Sequence, residues 1–193
     1  MRTKKAFSLL MVALLSVMGA KGQNVALKTN LIPDAALSPN VGVELKLASR
    51  WSMELAGQMN LWPIDDHTWK HWLVQPEVRY WFCEPFVKSF LGLHVLGGEY
   101  NVGNIDNNIK IFHNDFSKLK DYRYEGWAVG AGIAYGYALP LSKHWNFEFE
   151  VGVGYAYTEH TKYKCAECGA KIKKDRHHYY GPTKAALDLV YVF

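Results

Sequence analysis

Past its first segment the sequence has no stretch of about 18 consecutive apolar residues, which excludes a transmembrane helix. Cysteine is scarce: Cys83, Cys165 and Cys168 are the three present, and none precedes the mature region, so a lipoprotein anchor is not expected. An excess of charge is also missing. Lys and Arg number 22 against 18 Asp and Glu, but Arg2, Lys4, Lys5 and Lys21 all fall in the leader, and the mature chain balances to zero. The basic pI belongs to the precursor, and nucleic acid is not an expected partner. No shift in composition divides the chain, which reads as one domain.

What is present begins with a leader. A basic start is followed by an apolar run from Ala6 to Val17 and by Ala20-Lys21-Gly22, the pattern of a secretory signal peptide over residues 1–22, too short for a membrane span. Residues 23–193 then alternate apolar and polar side chains in runs of roughly ten, the period a pleated strand imposes. The last run is the clearest. From Ala185 onward, Leu187, Leu189, Tyr191 and the terminal Phe193 share one face, and Ala186, Asp188, Val190 and Val192 share the other.

Seven further runs precede it. They cover about Asn24 to Leu31, Val41 to Leu47, a strand opening at Trp51, Trp72 to Phe82 after a loop Leu61 to Lys70, and about Phe90 to Tyr100, where Gly97-Gly98 suggests a bulge. After a polar loop from Asn101 to Arg123 come Trp127 to Leu139 and Trp145 to Tyr157, and a basic loop Lys162 to His178 leads into the closing strand. Eight is an even number, and the connections after the first, third, fifth and seventh strands are mostly the longer ones. Aromatics gather near the tight turns (Trp51, Tyr80, Phe82, Phe86, Trp145, Tyr191, Phe193) and near the long loops (Trp62, Trp69, Trp72, Tyr124, Trp127, Tyr157, Tyr179), as two membrane interfaces require.

Alternation alone does not separate a membrane barrel from a lipocalin-like soluble one. The polar face carries Lys28, Glu44, Lys46, Glu54, Glu77, Arg79, Glu148, Glu150, Lys184 and Asp188. Turned to lipid, its basic residues would cost roughly 2–4 kcal/mol each at mid-depth. Turned inward, the large apolar face would overfill an eight-stranded interior, whereas the Gly and Ala face of the Trp127 strand suits a crowded lumen. The expectation is an all-β, eight-stranded antiparallel up-and-down transmembrane barrel whose interior charges pair across strands in a closed ionic plug.

Several segments carry a resemblance. Ala26 to Leu31, Ser38 to Glu44, Trp72 to Trp81 and Tyr180 to Ala186 resemble an uncharacterised family, a domain of unknown function, of small outer-membrane proteins from Bacteroides and its relatives. The resemblance covers essentially the whole mature chain and implies an OmpA/OmpX-sized barrel in the outer membrane of a Gram-negative bacterium. Its members are sometimes associated with fimbrial gene clusters, so a surface or fimbrial protein joins outer-membrane lipid and the barrel-assembly machinery among the expected partners. Tyr191 and Phe193 resemble the carboxy-terminal assembly signal of such barrels.

Candidate chemistry is thin. Lipid hydrolysis at the rim would need a nucleophile system. His160, His177, His178 and Asp175 are placed for one, yet the loop serines Ser38 and Ser117 have no motif around them, and a non-enzymatic role is expected without cofactor or metal. A rim- or lumen-based lipid-modifying enzyme and a soluble binding barrel are the alternatives. Cys165 and Cys168 form a Cys-x-x-Cys pair that zinc, redox chemistry or a local disulfide would suit. His177 and His178 are poorly spaced as further zinc ligands, and a βαβ context is missing. A disulfide formed in the oxidising periplasm is the expectation, with Cys83 a free thiol.

Overall fold

The computed structural model describes residues 24–62, 68–103, 110–111, 114–115, 122–163 and 171–193. The leader and the Cys165/Cys168 pair lie outside the described residues. Within them the chain forms β1 (Val25–Asn30), a helical turn α1 (Leu31–Ala35), β2 (Asn40–Ala48), β3 (Trp51–Asn60), β4 (Thr68–Trp81) and β5 (Lys88–Gly103). A two-residue hairpin follows, β6 (Lys110–Ile111) with β7 (Asn114–Asp115), and then β8 (Arg123–Pro140), β9 (Trp145–Tyr163) and β10 (Lys171–Val192). Eight of these strands close a ring in the order β1, β10, β9, β8, β5, β4, β3, β2. Each pairs antiparallel with its neighbours, and β1 against β10 seals the seam from Ala26↔Val192 to Asn30↔Asp188.

The pleat decides which residues enter. On β10 Ala186, Asp188, Val190 and Val192 are buried, and on β4 Gln75, Glu77, Arg79 and Trp81 are buried while Trp72, Val74 and Val78 stay exposed. The outer face is apolar around the ring: Leu27, Leu45, Leu55, Val78, Leu93, Ile133, Val151 and Val153 are all exposed, Val151 at 67 %. Near the chain termini the interior is filled by Trp81, Phe86 and Phe90 with Ala26, Ala138, Val190 and Val192. Trp81 and Phe90 have ring centroids 4.5 Å apart. That packing needs Gly136 opposite Phe90, because a Cβ there would run into the Phe90 ring.

Several boundaries differ from those the sequence suggests. Phe86 is buried in this plug and is not part of an outer aromatic ring. No bulge forms at Gly97-Gly98: the ladders run through in register on both sides, skipping only the pairs around Pro76, which has no N–H to donate. Gly98 serves close approach instead, since a Cβ there would meet the Trp72 carbonyl. Register shifts lie instead between Lys46 and Ala48, between Lys171 and Lys173, and between Pro182 and Lys184, and the last puts Gly181 and Tyr179, in place of the even-numbered residues, on the inner face above it.

Of the polar stretches taken for loops, Asn101 to Gly103 and Arg123 belong to strands, β5 and β8 pairing as far as Val102↔Tyr124, and so do Lys162, Tyr163 and Lys171 to His178, β9 and β10 pairing as far as Tyr163↔Lys171. The Lys162 to His178 segment is thus largely a hairpin extension. At the other extreme β1 stops at Asn30 and gives way to α1. The Asn30 side chain accepts from Ile32 N–H at 3.0 Å as the N-cap, and Pro33 is tolerated in a first turn.

Candidate functional site

Directly above the aromatic plug lies a layer of buried charge. Registry brings like charges together: Glu44 faces Glu54 across β2 and β3, Glu54 faces Glu77 across β3 and β4, and Asp188 faces Glu148 across β10 and β9. Opposed like charges destabilise a sheet unless something neutralises them. Arg79 does most of this. Its guanidinium reaches Glu44 at 2.7 Å, Glu54 at 2.5 Å, Glu77 at 2.6 Å, Glu148 at 3.1 Å and Glu150 at 2.7 Å, and it lies 4.4 Å over the Phe90 ring. Five donors in a fixed fork make arginine the side chain able to serve so many carboxylates at once.

Two lysines complete the layer. Lys28 bridges Glu54 at 3.1 Å and Glu148 at 2.6 Å and also contacts Glu44, while Lys184 bridges Glu77 at 2.6 Å, Glu150 at 3.1 Å and Glu54 at 3.5 Å. Of the ten residues expected to form the lumen network, Lys28, Glu44, Glu54, Glu77, Arg79, Glu148, Glu150 and Lys184 are joined here. Asp188 is buried beside them without an ion pair among the described residues. Lys46 shares the inner face but lines a separate recess at the terminal end, with Glu84 and Lys143.

Sequence reasoning left three interior residues unassigned to the layer. Trp81 stands two residues beyond Arg79 on the same face, and its indole N–H donates to Ser52 Oγ at 2.7 Å; Ser52 in turn bonds Glu44. Parity with Glu77 and Arg79 was the signal for it. His94 is fully buried with Nε2 2.9 Å from Thr183 Oγ1 and Nδ1 3.7 Å from Glu77. Phe90 carried no alternation signal, because apolar and polar residues do not alternate regularly from Phe90 to Tyr100.

At the opposite end β9 and β10 carry a second, exposed set of charges, Lys174, Arg176 and Glu159 on the outer face and Lys173 and Asp175 on the other. Lys174 and Arg176 both meet Glu159, and Lys173 meets Asp175 at 3.1 Å. The hydrogen bond from Lys174 holds the Glu159 carboxyl below the usual carboxylate range, as that from Lys173 does for Asp175. Burial pushes the His160 imidazole down. His178 Nδ1 lies 2.6 Å from the Tyr155 hydroxyl, and Ser38 Oγ donates to the Ala36 carbonyl. Among the described residues no serine hydroxyl hydrogen-bonds a histidine ring. Ser117, like Cys165 and Cys168, lies outside them. Cys83 is an exposed free thiol in the β4–β5 turn, and no three His, Cys, Asp or Glu side chains among the described residues are grouped to hold a metal ion.

A closed antiparallel ring with an apolar exterior and an ion-paired interior defines an eight-stranded β-barrel protein. Residues 7–193 match the model of the family described as protein of unknown function (DUF3575), and the chain belongs to that family. Neither the curated proteins nor the solved structures yield a match.

Proposed function

We propose that this chain is a small non-enzymatic barrel of a Gram-negative outer membrane, delivered by a cleaved signal peptide and serving as a structural or surface-interaction component. The observation that carries the reading is the outer face. Leu27, Leu45, Leu55, Val78, Leu93, Ile133 and Val151 stay exposed on successive strands of the ring, while nine ionisable Lys, Arg, Asp and Glu side chains are buried inside. An apolar surface that encircles a protein is far larger than a soluble monomer carries, and hydrocarbon is the solvent that suits it. Tyr80, Trp51, Trp145, Tyr191 and Phe193 cluster edge to face near the chain termini, as an interfacial aromatic belt does.

The interior supports the same assignment against a soluble ligand-binding barrel, because Trp81, Phe86, Phe90 and the ion pairs fill the centre where an apolar ligand would sit. With the termini on the periplasmic side, the β9–β10 hairpin stands on the cell exterior as the contact for a surface or fimbrial partner. The closing strand ends on Tyr191 and Phe193, the residues read by the barrel-assembly machinery. Fractionation tests the proposal: the folded protein should sediment with outer membranes and migrate faster on gels before boiling than after, and recovery as soluble periplasmic protein would overturn it.

A further inference from the structure

Where β1 stops at Asn30, the wall between β10 and β2 is closed by α1 instead of a strand. Side chains tie the turn in place: Asn30 donates to the Ala185 carbonyl at 3.1 Å and accepts from Leu187 N–H at 3.2 Å, and Asn40 donates to Asp34 at 2.8 Å. Behind α1, above the ion-paired layer, is a cavity of about 260 Å³. Ile32, Pro33, Leu73 and Ala185 give it apolar walls, Gln58 and Gln75 bring amide groups to the same space, and Lys28, Glu54 and Lys184 of the ion-paired layer form its floor.

Asp188 lines this cavity, is only 4 % exposed, and has no hydrogen-bond or ion-pair partner among the described residues. The cations nearest in the fold are committed elsewhere. Arg79, Lys28 and Lys184 are each held by glutamates, and the buried layer has three bases against the six acids Glu44, Glu54, Glu77, Glu148, Glu150 and Asp188. A buried carboxylate persists when it is paired; Lys28 and Arg79 attract Asp188 but are bonded to glutamates, and the fold leaves space beside it for a cation of its own.

We propose that the cavity behind α1 binds a primary alkylammonium group, with Asp188 as its counter-ion. Three N–H donors on an ammonium match the Asp188 carboxylate and the amide acceptors of Gln58 and Gln75, and charge-assisted bonds of this kind are the strong ones. The volume far exceeds that of a bare ion, and the apolar walls accept a short alkyl chain. The site depends on the interior alone and is independent of where the barrel resides.

Calorimetric titration of the folded barrel in an uncharged detergent, with butylammonium chloride as probe, tests this. Saturable binding is expected, with 1-butanol and sodium chloride giving none, and Asp188→Asn should weaken it at least about tenfold, about 1.4 kcal/mol. Ala56→Leu fills the same cavity without touching a charge and should also abolish binding, which decides the matter if Asp188→Asn fails to fold. Absence of saturable butylammonium binding, equal competition by sodium, or binding unchanged in Ala56→Leu would each overturn the proposal.

Discussion

Near the chain termini all eight strands are paired and the interior is dense, first with aromatic rings and then with interlocked ions. Toward the far end β8, β9 and β10 run on after β1, β2 and β3 have ended, and from Leu187 up to Lys171 β10 has no strand partner on its β1 side among the described residues. The two regions use charge in opposite ways. In the lower region each ion is desolvated, so it is stabilising only as part of the set. In the upper hairpin Lys173, Lys174, Arg176 and Asp175 are more than half exposed, and water does most of the work of neutralising them. The same residue types therefore hold the barrel shut in one place and merely shape a surface in the other.

The sharpest way to break this contrast is to open the lower seam. Phe193 N–H donates to the Val25 carbonyl at 3.0 Å and its ring packs on Tyr191 with centroids 4.9 Å apart. Deleting Phe193 or changing it to Asp should abolish assembly while leaving export intact. Normal levels of such a variant in the outer membrane would refute the assembly role. Next in size is Arg79→Ala, which leaves five glutamates facing one another with two lysines. Removing one partner from a buried ion set costs about 3–5 kcal/mol, and urea titration of the refolded barrel should show it. A loss comparable to that of a surface pair would mean water already enters the layer.

Packing distinguishes the inner and outer faces in the same way. Gly136→Ala forces a methyl group against the Phe90 ring, and overpacking of this kind costs about 1–3 kcal/mol. Gly97→Ala adds a methyl group with nothing within 4 Å and should leave the urea midpoint almost unmoved. The smallest effect belongs to the hairpin. Glu159 and Asp175 have folded pKa values below their unfolded ones. The order they lend is complete above the unfolded carboxylate range, about 4, and fades as pH falls through the lower folded values. Amide exchange of β9 and β10 beyond Tyr157 should quicken on such acidification before the ring itself opens. Simultaneous opening of both regions would show that they form one cooperative unit.

The outward-facing apolar residues and the inward-facing charges were legible because strand alternation is local: Glu77 and Arg79 on one face and Val78 and Tyr80 on the other need no knowledge of the rest of the chain. The same parity placed Trp81 inside, although its bulk disguised it among residues suited to a membrane interface. Phe86 was misplaced because a turn has no alternation to read. The length of the β9–β10 hairpin was hidden because Lys171 to His178 is polar on both faces, which periodicity cannot distinguish from a loop. What only the tertiary structure decided is register. Which carboxylates share Arg79, why Asp188 is left beside a cavity, and how α1 closes the wall where β1 ends all depend on which residue of one strand lies opposite which of another. That pairing is fixed by long-range packing and by the bulge at Pro182, and a one-residue slip would turn every one of these side chains to the other face.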